Sequence, residues 1–427
     1  MLDLQFIREN ADTVRNAIIN KATGSPTLVD KVLELDELWR KTTTELQEVQ
    51  TAANAEAKKI GEWMKLGLKD QAQAAIAESG RLKVALKDLE DSQRIAAESL
   101  ENTLLEIPNV PHPSVPLGKL PSDNVVAFEH GPFPAFTFAP LPHWELLERH
   151  DLVDFDRGSK VSGAGFPFYK GAGARFQRAL INFFLDQAVE NGYVEMGAPL
   201  VVNEDSARGT GQLPDKEDLM YEAVRDGLYL IPTAEVPVTN YHRDEILLES
   251  DLPIKYCAYT PCFRREAGSY GKDVRGLNRL HQFDKIELVH FVRPEDSYQA
   301  LEELRAHAEG LLQKLGLPYR RLLMCTGDMG FTQSKKYDLE VWSAGQERWL
   351  EVSSISNFET FQARRMKIRY RSKTDAKPQI IHTLNGSGLA LPRIVAALLE
   401  NNQKSDGSIA IPEALRSYFG SDTLISA

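Results

Sequence analysis

From about Leu28 the apolar positions of the chain repeat with a period of seven. Val32, Trp39, Leu46, Ala53 and Ile60 hold one heptad position, and Leu35, Thr42 and Val49 hold another. The pattern breaks at Leu66-Gly67-Leu68 and resumes as Leu82, Leu86, Leu89, Ala96, Leu100 and Ile107. This predicts two helices of about 37 residues, each on the order of 55 Å long, folded back on one another as an antiparallel hairpin. A seam only two residues wide per heptad does not bury such helices, so the hairpin must project. Ahead of it a short amphipathic helix is expected over Leu4–Ile19, ending in the loop Thr23-Gly24-Ser25-Pro26. Behind it the proline-rich run from Pro108 to Asp123 stops the helix. The expected division is therefore a helical hairpin over 1–108, a linker over 109–123, and a domain over 124–427 in which strand and helix signals alternate.

Within 124–427, the stretch Phe263 to Glu287 does not read as ordinary core. It predicts a strand over Ala258–Ala267, a Gly-rich basic loop, and a strand over Arg279–Phe291. In the second strand His281, Phe283, Lys285 and Glu287 share one face, while Leu280, Ile286 and Leu288 share the other. The first face is polar where a core would want Val or Leu. Phe283 and Glu287 stand roughly 13 Å apart at ~3.3 Å per residue, enough for an adenine at one end and an amino acid's ammonium at the other. On the first strand Arg264 and Glu266 share a face, and Arg265 points away. Near the C-terminus, Leu391-Pro392-Arg393 opens a helix over Ile394–Asn402 with proline in its first turn. An arginine there adds its charge to the free N–H groups of a helix start, a good place for a phosphate.

Composition narrows the class. A chain of 427 residues, 42% hydrophobic, can bury a large core. No apolar run has membrane-spanning length and no export segment is evident, so no membrane partner is expected and the cytoplasm is the default. Three cysteines, Cys257, Cys262 and Cys325, fit buried free thiols in a reducing compartment. A net charge of −11 excludes a general DNA binder and confines any RNA contact to a local track. The phosphate loops GxGxxG and GxxxxGK[ST] are absent.

Phe263-Arg264-x-Glu266, a variable loop and Arg279-x-x-x-Phe283 resemble motif 2 of class II aminoacyl-tRNA synthetases. The helix Ala174–Val189 followed by Gly197-Ala198-Pro199 resembles motif 1, and Leu391-Pro392-Arg393 resembles motif 3, with Pro392 where glycine is commoner. MLDLQFIREN, HWELLERHDLVDF, TGQLPDKEDLMY, LIPTAEVPVTN, LEVSSISNF and HTLNGSGLALPR are similar to stretches of the bacterial-type seryl-tRNA synthetase, so the resemblance runs over nearly the whole chain.

The resemblance implies an α+β fold, a long antiparallel helical coiled-coil hairpin plus a class II catalytic domain on a mostly antiparallel sheet flanked by helices. It implies a homodimer, with motif 1 at its interface. The implied activity is ATP-dependent serine activation to seryl-adenylate and transfer to tRNA(Ser), and to tRNA(Sec) where a cell has one. The hairpin, whose heptads alone read first as an oligomerisation coiled coil, becomes under the resemblance the arm that grips tRNA, with Lys58, Lys59, Lys65 and Lys69 toward its tip and Arg81, Lys83 and Lys87 on the return. Arg264 is expected to bridge the α-phosphate and the serine carboxylate, with Glu266 and Arg393 completing the catalytic set. ATP is expected to meet Arg264, Arg265, Glu266, Arg279, Phe283, Glu351, Val352, Ser353, Ser354 and Arg393, with Lys272 and Arg275 reaching either phosphates or the tRNA end. Serine is expected to meet Thr233, Ala234, Glu235, Arg264, Glu287, Asn385 and Ser387; which glutamate takes the ammonium stays open. Glu351 and Ser354 are the expected Mg²⁺ ligands, since hard oxygens and phosphates suit that ion. Three residues apart, they fall on opposite faces of a regular strand, so either the strand is irregular there or one is not a direct ligand. His143, His242 and His382 lack metal spacing and read as structural. Two rival readings are an amino-acid ligase that charges a carrier protein and a silent homologue that binds RNA.

Overall fold

The computed structural model describes residues 1–214, 218–266, 275–373 and 377–425, in two compact units, Met1–Pro108 and Asn109–Ala427. In the first unit, α1 (Leu4–Glu9) and α2 (Ala11–Lys21) replace the single helix expected over Leu4–Ile19. The break is Asn10, at φ −133° and ψ 38°, whose side-chain amide donates to the Phe6 carbonyl at 3.1 Å. A short polar side chain that bonds its own backbone competes with helix propagation. The hairpin follows as α3 (Leu28–Lys65) and α4 (Lys69–Leu105). All the heptad positions named above are buried or half-buried. The seam runs closer to the tip than the heptad indicated, through buried Ala72 and Ala75, whose small side chains carry little periodic signal.

The second unit is built on an eight-stranded sheet. Its strands are β1 (Val125–His130), β2 (Val194–Glu195), β3 (Ile254–Phe263), β4 (Gln282–Val292), β5 (Tyr319–Leu323), β6 (Lys335–Ser343), β7 (Arg348–Glu359) and β8 (His382–Ala390). Their order across the sheet is β1-β5-β6-β7-β8-β4-β3-β2, antiparallel throughout except for β2 beside β3. The principal helices of this unit are α5 (His143–Arg149), α6 (Gly171–Glu190), α7 (Glu235–Asn240), α8 (Ser297–Lys314) and α9 (Leu391–Asn401). The chain is thus α+β, a helical hairpin followed by a mostly antiparallel sheet flanked by helices.

The alternation predicted for β4 places the site. Ile286 and Leu288 enter the main core with Phe183 and Phe184 of α6, Leu301 and Leu304 of α8 and Ile394 of α9. On the opposite face, Val289 and Phe291 are covered by Ala234 and by Val238 of α7. The start of that second face, Phe283, Lys285 and Glu287, is left to form a site.

Both central strands begin and end elsewhere than expected, β3 at 254–263 instead of 258–267 and β4 at 282–292 instead of 279–291. The backbone leaves the ladder for other partners. Arg265 N–H donates to Leu219 O at 2.9 Å, His281 N–H donates to Gly165 O at 2.9 Å, and Glu266 takes φ +50°. The expected linker 109–123 is docked on the second unit. Asn109 donates its amide to the carbonyls of Thr332 (3.0 Å) and Phe358 (2.9 Å), and Val115 packs with Leu322, Met324 and Met329. Among the described residues no helix is long and apolar enough to cross a membrane, and no three His, Cys, Asp or Glu side chains group as a metal site.

Candidate active site

A cavity of about 270 Å³ opens over the end of the sheet where β3, β4, β7 and β8 meet the start of α9. Arg264, Glu266, Arg279, Phe283, Glu351, Val352, Ser353, Ser354, Ser387 and Arg393 all line it. Residues spread over some 130 positions of sequence converge because antiparallel pairing sets Phe283 beside Cys262 and Glu287 beside Ser387.

Arg264 donates through Nε to the Pro232 carbonyl at 3.3 Å, and its guanidinium lies 5.1 Å from the centre of the Phe283 ring. It therefore reaches from the turn beside Thr233 to the aromatic end of the cavity. Arg264 and Glu266 do not pair with each other: Glu266 is paired with Arg279. That pairing leaves Arg264 as a cation held by a neutral carbonyl and an aromatic face. Arg265, past the end of β3, is not among the residues that line the cavity and pairs with Asp218, 3.1 Å off.

The β6–β7 register resolves the spacing of Glu351 and Ser354. Leu339 pairs with Ser353 and Glu340 with Glu351, so Val352 is the extra residue of a bulge. The inserted residue brings Glu351 and Ser354 to one cavity, while the Val352 side chain drops into the core. The charges of Lys336, Arg393, Arg264 and Lys285 hold the Glu351 carboxyl below its ordinary range. Ionised carboxylate and hydroxyl on one wall are a donor set that fits Mg²⁺ carrying phosphate ligands.

Deeper along the same face of β4 lies a buried polar pocket. Lys285 and Glu287 are paired, Thr233 donates its hydroxyl to Glu287 Oε2 at 3.0 Å, and Lys285 Nζ donates to Thr233 Oγ1 at 2.8 Å. Glu287 Oε1 is buried without a partner among the described residues. Such an acceptor in a pocket awaits a donor from a ligand. Thr233 and Ala234 lead into α7, which begins at Glu235, and the Thr233 hydroxyl accepts Glu235 N–H at 3.2 Å. Glu235 accepts from Gln362 Nε2 at 2.6 Å; burial, then the neighbouring Glu287 charge, push its carboxyl up to about 7. Asn385 stands opposite Val289 and Ser387 opposite Glu287, so both lie on the pocket's face of β8.

Arg393 is in the first turn of α9 and donates to the carbonyls of Asn278 (Nε, 3.0 Å) and Glu351 (Nη1, 2.7 Å). Arg275 lies over the Trp144 ring at 4.6 Å, and Lys272 falls outside the described residues. Sequence reasoning missed Lys285 as a pocket residue, although its polar position beside Glu287 was the available signal. It also missed Gln362 and Asn278, for which no spacing offered one.

Residues 1–111 match the family model of the seryl-tRNA synthetase N-terminal domain, and residues 220–402 match the class II tRNA synthetase core domain (G, H, P, S and T). The chain is 62% identical to a serine--tRNA ligase of Salinibacter ruber, over 98% of each chain. It is 50% identical to that of Geobacter sulfurreducens over 98% of this chain and 99% of the other. Its fold is similar to the crystal structure of seryl-tRNA synthetase from Pyrococcus horikoshii complexed with ATP, with a TM-score of 0.93, 37% identity and full coverage of both chains. With the motif 2 and motif 3 arginines in one cavity and such likeness end to end, the chain belongs to the seryl-tRNA synthetase family of class II aminoacyl-tRNA synthetases.

Proposed function

We propose that the cavity and the adjoining pocket form the seryl-adenylate site, with Arg264 at their junction. The chain is a serine--tRNA ligase that activates L-serine with ATP and transfers it to tRNA. In activation a serine carboxylate oxygen attacks the α-phosphorus, and the bond from that phosphorus to the bridging oxygen breaks to release pyrophosphate. The nucleophile is already an anion, so the site needs charge neutralisation and alignment, not a general base. Arg264 offers its planar fork to the carboxylate and the α-phosphate together. Phe283 stacks on adenine, Arg279 and Arg393 face the outer phosphates, and Glu266 holds Arg279. Glu351 and Ser354 would hold Mg²⁺, which supplies charge neutralisation on the phosphates when bound. A ribose hydroxyl at the tRNA 3′ end then attacks the serine carbonyl carbon, and AMP leaves.

The observation that carries the serine reading is the unpartnered Glu287 Oε1 beside Thr233. Glu235 and Glu287 neutralise the ammonium and accept the hydroxyl, with Asn385 and Ser387 on the facing strand. A pocket that hydrogen-bonds a hydroxyl leaves buried groups unpaired when alanine enters, which rejects alanine strongly. Amino-acid-dependent ATP–pyrophosphate exchange with each of the twenty amino acids and no tRNA tests this: serine alone should support exchange. Exchange with no amino acid would favour a silent homologue, and exchange with another would overturn the pocket assignment.

Ionisation of Glu235 gives a second test. Its native value of about 7 exceeds the ordinary 4.5, so the native state binds the extra proton between them. The associated folding stability is complete below 4.5 and is lost as pH rises through about 7. Only the ionised form attracts the serine ammonium, so KM for serine should fall as pH rises from about 6 to about 8. Glu235→Gln should raise KM and flatten that dependence; an unchanged pH profile would remove Glu235 from the pocket.

Residues 1–108 are the arm that grips tRNA(Ser), and tRNA(Sec) where present, through the exposed Lys58, Lys65, Lys69, Lys83 and Lys87. The working form is a cytoplasmic homodimer. Supporting the dimer, Val189 of α6 and Val194 of β2, within motif 1, and Leu200 and Val201 just after it expose apolar side chains.

A further inference from the structure

His143 and Trp144 open α5, in a stretch to which the reaction assigns no part. His143 is fully buried, and both its ring nitrogens are engaged. Nε2 accepts Leu277 N–H at 2.9 Å, which places the ring proton on Nδ1, 2.8 Å from Glu400 Oε1. Glu400, also fully buried, accepts the His143 backbone N–H (2.8 Å), the Ser343 hydroxyl, Gly345 N–H (3.0 Å) and Gln346 Nε2 (3.1 Å). Gln346 Oε1 in turn accepts from Asn278 Nδ2 at 2.9 Å, and the Asn278 carbonyl is one of the two that hold Arg393.

The network has features that plain packing does not require. An apolar set of similar volume would serve a core at least as well as a buried carboxylate. Burial alone would raise Glu400, but the His143 and Ser343 donors hold its carboxyl below the ordinary range. Glu400 and Arg393 are seven residues apart, two turns of α9, and so lie on one face about 10 Å apart. Gly276, at φ +65°, lets the backbone press on the imidazole, since a Cβ there would collide with His143 Nε2 and come within 3.2 Å of Trp144 Cβ. Arg275 lies over the Trp144 ring, 4.6 Å from its centre.

We propose that His143 and Glu400 are positioning residues for Arg393, tying residues 275–279 and α9 into one frame so that the Asn278 carbonyl aims the guanidinium into the cavity. This rests on the reading of Arg393 as a phosphate-binding group. His143→Gln keeps a side chain that can serve Leu277 or Glu400 but not both; Gln346→Ala, at a half-buried uncharged position, cuts the tie to Asn278 and makes the same test if the first variant does not fold.

The measurements are pyrophosphate exchange and equilibrium binding of a non-hydrolysable ATP analogue with Mg²⁺. KM for ATP and the analogue's Kd should rise about tenfold in His143→Gln and about threefold in Gln346→Ala, the range for one broken buried hydrogen bond. KM for serine should stay within about twofold. In an Arg393→Ala background, adding either change should weaken analogue binding by less than about twofold, because the coupled group is gone. Equal rises in KM for serine and ATP, or a full repeat of the loss in that background, would overturn the proposal alone. Undiminished analogue binding by Arg393→Ala itself would overturn the phosphate reading and the proposal with it.

Discussion

Arg264→Ala should lower serine-dependent ATP–pyrophosphate exchange by about 10³-fold, on the order of 4 kcal/mol of transition-state stabilisation. In the proposed site the loss is large because one guanidinium would serve two anions that repel each other as they approach. The guanidinium is held by the Pro232 carbonyl at 3.3 Å and lies 5.1 Å from the centre of the Phe283 ring. The fold should be spared. Among the described residues Arg264 makes no ion pair, and Glu266 is paired with Arg279 instead. Thermal unfolding and the oligomeric state should therefore match the unaltered chain while exchange disappears. Near-normal exchange in this variant would remove Arg264 from the chemistry, and a collapsed unfolding transition would mean that its role is structural.

Removing residues 1–108 should separate the two half-reactions. Exchange should persist near the level of the full chain, since every side chain of the cavity and pocket belongs to Asn109–Ala427. Aminoacylation of tRNA should fall by at least about 100-fold, the scale of losing several backbone phosphate contacts. Charging by the full chain should also weaken with added salt more steeply than exchange does, because counterion release applies to the RNA step. Equal charging by the shortened chain would take the hairpin out of the mechanism. Loss of both activities would show that the second unit depends on the first for its fold.

The likeness to seryl-tRNA synthetases and the local physics of the strands agree on β4. Its alternation of Phe283, Lys285 and Glu287 with Ile286 and Leu288 identified which face would be core and which would be site, since a strand's period of two is a local property. The heptads located α3 and α4 to within a few residues for the same reason, as did the proline in the first turn of α9. Local pattern did not reveal where the backbone finds partners distant in sequence. β3 stops at Phe263 because Arg265 turns to Leu219, and 109–123 is tied down by Thr332 and Phe358, more than two hundred residues away.

The sequence by itself determined the helical hairpin, the polar face of β4 and the residue types of the site, because periodicity and side-chain chemistry are carried by neighbours in the chain. Tertiary structure alone decided the bulge at Val352 that brings Glu351 and Ser354 to one wall, the choice of Arg279 and not Arg264 as partner for Glu266, and the line of contacts from His143 to Arg393. Each depends on register between strands or on groups more than ten residues apart, and such pairings are settled by the packing of the whole sheet.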